Sequence, residues 1–537
     1  MAKRLAVPVK YDAVVVGAGF TGLYTLYKLR ELGLKVVAFE AGNGVGGTWF
    51  WNRYPGARVD CQFPTYQYTF SKALFDKWNW SERFPAQEET ERYLNFCADE
   101  LDLRKDIHLN TRVTAAEFDE STERWAIRTD DGKTYDAQFF VPCTGILSSP
   151  ISPFPGSEKF KGQLFHTARW PKAPVDFTGK RVGVVGVGAT GMQVVQTIAP
   201  QVGSLKVFIR TANYSIDLNN PKLTDADRES TRKDYAKVVA DINKSFGGLG
   251  FDVSANGSFH DHTPQQRQAI YEKIWADGTL RFWLGVWFDI IFDEEANREI
   301  SDFVRNKIRG QINDPETADL LTPDFRFGTR RVPLQNGFYA AFNQDNVEAV
   351  GIKDDPIAAI TEKGLKLKSG KEYELDILIL ATGFDAGRTL SQLNVHGRGG
   401  VTVKQVWDKD VRTTMGLMLH GFPNMFTPGA PLAPINAFCN VPHCSQHQGE
   451  WVAEAVRYMR DNGIKVLEPT KEVEDAWVQT HDNIVNMSLF PKTNTWYMGD
   501  NIEGKKRRLL AWLGGNPDYE QRCREVREKG FPGFATA

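Results

Sequence analysis

Apolar and polar positions switch between strand-like and helix-like periods along this chain, and the switches mark its elements. Residues 12 to 16, DAVVV, form a short β-branched run ending in Gly17, which reads as a buried strand. GLYTLYKLREL, 22 to 32, reads as a helix that Gly33 closes. LKVVAFE follows as a second strand, ending at Glu40. The same order returns later, with RVGVV over 181 to 185, a helix over 191 to 199, and LKVFIR ending at Arg210. Between the two units, EFDESTERWAIRTDDGKTYDAQFFVPCTG alternates and turns as an antiparallel meander. From residue 222 the charge density rises and apolar residues take helical spacing, as in YAKVVADINKSF and EEANREISDFVRNKIRGQI. A strand-rich return ends in LDILILATG, and the tail carries a helix over GEWVAEAVRYMRDNG.

Each strand–helix junction carries the same glycine pattern. The first is Gly17-Ala-Gly19-Phe20-Thr-Gly22, and the second is Gly186-Val-Gly188-Ala-Thr190-Gly191. The first glycine permits the tight turn and the second lets the backbone approach a pyrophosphate. The third packs helix on strand, and the helix N-terminus faces the anion. The units diverge at the end of their second strands. Glu40 suits a free ribose and repels a 2′-phosphate, whereas Arg210, followed by Thr211, can pair with one. A solvated strand end is the plainer alternative for Arg210. Two nucleotide sites suggest flavin plus nicotinamide; one NAD site and a degenerate copy is the other possibility. CTG at 143 to 145 and ATG at 381 to 383 each end an apolar strand. Both resemble the returning strands of two-dinucleotide-domain flavoproteins, which implies a chain passing close to a cofactor or to the other domain.

GGTWFWNRYPGARVD, residues 46 to 60, has tryptophans where a flavin disulfide reductase would carry its cysteine pair. This stretch resembles the matching segment of type I Baeyer–Villiger monooxygenases. Phe160-Lys-Gly162-Gln-Leu-Phe-His166-Thr-Ala-Arg-Trp170-Pro171 resembles that family's fingerprint at every fixed position, and within the family the cyclohexanone-oxidising branch is the nearest likeness. The resemblance implies an α/β fold of two Rossmann-like dinucleotide-binding domains of the two-domain flavoprotein type, with a helical insertion in the second. It implies FAD and NADPH as cofactors, and a C4a-peroxide of reduced flavin that inserts one oxygen of O2 into a ketone. A heteroatom oxygenase or an uncoupled NADPH oxidase on the same scaffold is the alternative.

By the same resemblance, Arg331 is the catalytic cation and Asp60 the carboxylate that orients it. An arginine stays charged at every working pH and offers several donors. FAD contacts are implied for Gly17, Gly19, Phe20, Gly22, Glu40, Gly47, Thr48, Trp49, Asp60, Tyr66 and Val113. NADP contacts are implied for Gly186, Gly188, Thr190, Gly191, Gln193, Arg210, Thr211, Arg330 and Trp496. Arg330 stands where the family commonly has lysine, so an exchange of roles with Arg331 is open. Phe160, Gly162, His166 and Trp170 take a structural and conformational role, with His166 no proton shuttle. Leu432, Ile435 and Phe438 are pocket candidates.

Composition narrows the partners. With 42% hydrophobic and 25% charged residues and a net charge of −2, neither nucleic acid nor an anionic membrane is implied. No apolar run approaches a membrane span and no secretory pattern leads the chain, so a cytoplasmic location is expected. A monomer is the expected state, with an oligomer left open. Six cysteines make no disulfide framework. Cys439-NVPH-Cys444, with His443 and His447, reads as reduced thiols on a polar loop rather than a redox pair or zinc site, so no metal is expected. The expected domains are 1–150 for FAD, 151–221 for NADP, a helical insertion over 222–329, the NADP return over 330–381, and 382–537 completing the FAD domain with substrate and mobile loops.

Overall fold

The computed structural model describes residues 8–387, 389–435, 438–501, 504 and 506–537. Strand β1 (Val9–Val16) leads into α1 (Phe20–Glu31) and then β2 (Val36–Phe39), which lies parallel to β1. Val14, Val15, Val37 and Ala38 are buried, because both faces of this parallel pair are covered. A short helix α2 (Thr48–Trp51) carries the tryptophan-rich motif. Next come β3 (Ile107–His108), beside β2, and the antiparallel meander β4 (Val113–Asp119), β5 (Arg124–Thr129) and β6 (Thr134–Pro142). β6 runs parallel along the other side of β1, which joins the meander to the nucleotide unit.

The second sheet repeats the plan. β7 (Gln163–His166), β8 (Arg181–Val185), α3 (Ala189–Ile198) and β9 (Ser204–Ile209) precede a helical excursion. Its longest helix, α4 (Glu294–Arg309), is N-capped by the Asp293 side chain and buries Ile300, Val304 and Ile308. The chain returns through β10 (Val347–Gly351) and β11 (Ile377–Leu380), giving an all-parallel order β10-β9-β8-β11-β7. β12 (Val395–His396) then pairs with β4, so the chain re-enters the first sheet. The two crossings between sheets lie side by side. Ile151 N donates to Gly383 O at 3.0 Å, and Asp385 N donates to Ser149 O at 2.9 Å.

Two expectations are corrected. The tail helix, α5 (Val441–Asp461), begins well before GEWVAEAV. Pro442 sits in its first turn, where a missing N–H costs nothing, and packing on α1 buries a face whose polar residues hide the helical period. Cys444, His443 and His447 therefore belong to a buried helix start, not a polar loop. Cys439 and Cys444 are not reduced thiols either, since they are bridged as a disulfide. Cys444 also packs on α6 (Asn516–Glu528) through Asn516.

Candidate active site

The two glycine turns are built alike. Gly17 and Gly186 both take φ +101, and a Cβ on either would stand 2.7 Å from a carbonyl oxygen, that of Cys143 or Ala381. These carbonyls belong to the CTG and ATG strand ends, so each returning strand closes against its own turn. Gly19 and Gly188 are the N-caps of α1 and α3, with no capping side chain and no acidic residue in the first turn. Uncapped backbone N–H groups left this way suit a phosphate, so both cradles fit a dinucleotide.

Glu40 is buried at the end of β2, where its carboxylate accepts from Ala18 N at 2.9 Å and Gly42 N at 2.7 Å. Burial raises its pKa, and the two backbone donors oppose that rise. Thr111 N donates to Glu40 O, which sets Val113 at the start of β4 close to the same end. Gly46 N donates to Ala18 O at 2.9 Å, and Gly47 packs against Gly19, so the tryptophan motif is folded over the first cradle. Trp49 Nε1 donates to Tyr66 Oη at 3.0 Å, and Phe20 meets Tyr66 edge-on. Thr48 is exposed at the start of α2.

Arg331 and Asp60 meet although they are 271 residues apart. Nε donates to Oδ2 at 3.1 Å and Nη2 to Oδ1 at 2.5 Å, a side-on fork. The guanidinium lies 5.5 Å from the Trp283 ring centroid. Burial alone would lower the pKa of Arg331, but Asp60, Tyr497 and Cys61 together raise it above its ordinary value, so the charge is permanent. Three of these neighbours were missed in the sequence. Tyr497 is buried, and its pKa is raised by burial first, with Arg331 opposing. Trp496, the residue singled out, is only half-buried and packs 4.3 Å from Tyr497. Trp283 lay unassigned in the insertion, and Cys61 simply follows Asp60.

Near the second cradle, Arg210 is exposed at the end of β9 and forms no ion pair among the described residues. Thr211, the residue after it, is half-buried. The Arg330 pKa is pushed down, by burial first and by the charge of Arg210 next. The two positive charges are near enough to repel each other, which suits a phosphate dianion. Arg330 Nε donates to Asn494 O at 3.0 Å and lies over Phe325, so it points away from the Asp60 fork. Gln193 makes two hydrogen bonds to the tryptophan motif. Its Oε1 accepts from Tyr54 Oη at 3.0 Å and its Nε2 donates to Arg58 O at 3.2 Å, tying α3 to the tryptophan motif. Thr190, one turn earlier, lies beside Tyr54.

His166 Nδ1 accepts from Ala168 N at 3.1 Å, which leaves Nε2 to donate to Ile151 O at 3.1 Å. Thr382 Oγ1 stands 3.3 Å from the same Nε2. One imidazole thus braces both crossings between the sheets, and burial holds its pKa below the usual histidine value. Gly162 leaves no room for a side chain between Asp376 O and the Phe160 ring, and Trp170 packs on Phe165 and Phe177. Phe438 lies 5.7 Å from Tyr497 and 6.0 Å from Trp283, against the wall of the Arg331 site. Leu432, at φ +69, is tied to Leu510 and Trp477 instead, and Ile435 is buried with its carbonyl accepting from Phe438 N.

Two nucleotide cradles, each at the end of a parallel strand pair in its own sheet, with a fixed cation fork between them, define a two-domain flavoprotein. The family described as flavin-binding monooxygenase-like matches residues 10–220. Acetone monooxygenase (methyl acetate-forming) of Gordonia sp. (strain TY-5) is 48% identical over 98% of each chain. Cyclohexanone 1,2-monooxygenase of Acinetobacter sp is 37% identical over 98% of this chain and 96% of the other. A solved structure, the OTEMO complex with FAD and NADP, superposes with a TM-score of 0.94 at 36% identity, covering 99% of this chain and 100% of that one. The chain belongs to the Baeyer–Villiger monooxygenases. It uses FAD and NADPH to insert one oxygen of O2 into a ketone, giving an ester or lactone and water. The heteroatom-oxygenating alternative is not favoured. No described helix is long and apolar enough to cross a membrane.

Proposed function

We propose that Arg331, held by Asp60, is the catalytic cation of this enzyme, and that small ketones are its substrates. The side-on Arg331–Asp60 fork carries the reading. The first cradle would hold FAD, which would supply hydride acceptance from NADPH and activation of O2. Arg331 places a permanent positive charge where negative charge develops on the ketone oxygen, and donors already in position stabilise such charge without reorganising. Asp60 fixes the plane of the guanidinium through Nε and Nη2. Trp283, Tyr497 and Phe438 place rings about it and partly exclude water, which strengthens the interaction.

The first cradle, with Glu40, Gly47, Trp49, Tyr66 and Val113 around it, is assigned to FAD. The second, with Arg210 and Arg330, is assigned to NADPH. Gln193 acts as a brace between them, and His166 as a neutral clip on the crossings. The sheet pairings support residues 1–150 with 382–537 as the FAD body, and 151–381 as the NADPH body with its insertion. The crowd of rings at Arg331 supports a small ketone, as does the 48% identity to a protein named for acetone. The reading includes a cytoplasmic monomer; large exposed apolar residues such as Val9, Val401 and Met487 lie scattered. A ketone panel of acetone, cyclohexanone and a polycyclic ketone, run with NADPH in air, tests it. Methyl acetate as the preferred product supports the reading. Oxygen consumption that yields only peroxide overturns it.

A further inference from the structure

Behind the active site, the starts of α5 and α6 meet a loop of the helical insertion. Asn440 N donates to Gly247 O at 2.7 Å, and Asn516 N donates to Phe246 O at 2.8 Å. His443 and His447 are one turn apart on α5, so both rings project from the same face. Glu520 faces them from the second turn of α6. His443 Nε2 is 3.3 Å and His447 Nε2 3.1 Å from the same oxygen, Glu520 Oε1. The donor atoms all lie within 4.8 Å of one another.

His443 is 1% exposed, and among the described residues neither ring nitrogen makes a hydrogen bond. Gly248 fixes the ring, since a Cβ there would stand 2.5 Å from its Cδ2. A buried imidazole whose nitrogens lack well-aligned hydrogen bonds is costly unless something else satisfies it. Zinc–nitrogen and zinc–oxygen bonds of about 2.0–2.1 Å at a tetrahedral angle put neighbouring ligand atoms about 3.3 Å apart. That spacing matches the two contacts to Glu520.

We propose that His443, His447 and Glu520 bind a divalent transition metal of the zinc class, clasping the start of α5 to α6. The donor set, two imidazoles and one carboxylate, suits such an ion, and a solvent molecule completes four-coordination. Arg524, whose charge also reaches His447, opposes the ion and limits its affinity. The bridged Cys439 and Cys444 contribute no ligand.

The test uses full-length, FAD-loaded enzyme stripped by a chelator and titrated with Zn²⁺ in a calorimeter, with melting followed in parallel. Wild type should take up one equivalent and melt at a higher temperature with zinc. His447→Ala and Glu520→Gln, both at partly exposed positions, should keep their flavin yet bind zinc at least about 10-fold more weakly, the least that even outer-shell partners of a metal are worth. Wild-type uptake no tighter than that of His447→Ala overturns the proposal. So does uptake that survives both variants and disappears in Cys444→Ser, which would assign the metal to sulfur.

Discussion

Replacing Asp60 by asparagine removes one charge from the fork and keeps its shape. A guanidinium–carboxylate pair with charge centres about 4 Å apart is worth about 4 kcal/mol at an effective dielectric of about 20. The side chains of Arg331 and Asp60 are 22% and 21% exposed, so solvent screens the pair only in part. Asparagine still accepts one of the two hydrogen bonds, which leaves about 2 kcal/mol of orienting energy lost, or about 30-fold in the oxygen-insertion rate. The loss should fall on insertion and not on flavin reduction. Asp60→Asn should therefore retain FAD and keep oxidising NADPH, while ester per NADPH drops and hydrogen peroxide rises. Gas chromatography of the ester, with NADPH absorbance and a peroxide assay, measures the split. Wild-type coupling in the variant would refute the orienting role. Loss of flavin without any change in coupling would make the pair structural.

Further tests address the cradles and the core. Gly17→Ala forces an L residue to φ +101 with its Cβ 2.7 Å from Cys143 O. It should cost about 1–3 kcal/mol and lower the flavin-to-protein ratio. Arg210→Ala should raise the KM for NADPH by about 10- to 100-fold, the worth of a charge-assisted hydrogen bond, and leave that for NADH unchanged. An equal rise for both would remove the 2′-phosphate assignment. His481, buried with Nε2 donating to Leu509 O at 2.7 Å, has its pKa pushed down to about 4 by burial. Its folded value lies below its unfolded one, so its contribution is present at neutral pH and lost as pH falls through the window between them. Wild type should lose about 2 kcal/mol more stability than His481→Gln between pH 7 and pH 5 in urea titrations.

Both nucleotide units were legible because glycine turns, β-branched runs and strand-end charges are local signals. The meander between them was equally plain from its alternation. The start of α5 was not, because Pro442 and a run of polar residues look like a loop until α1 and α6 bury them. Arg331 and Asp60 came from motif resemblance, and nothing local in either segment announces a partner 271 residues away. Tyr497 was hidden beside a more conspicuous tryptophan, since one residue's shift along a short 3-10 turn exchanges an inward ring for a half-exposed one. The partners of Gln193, Tyr54 and Arg58, arrive from the tryptophan motif, and only the fold brings them there.

The guanidinium of residue 331 is the claim on which the rest depends, and Arg331→Ala tests it most directly. The flavin-loaded variant would be given NADPH, air and acetone, and methyl acetate counted against NADPH consumed. The account predicts continued NADPH oxidation with peroxide as the product and no ester. An ester yield equal to that of wild type would contradict it.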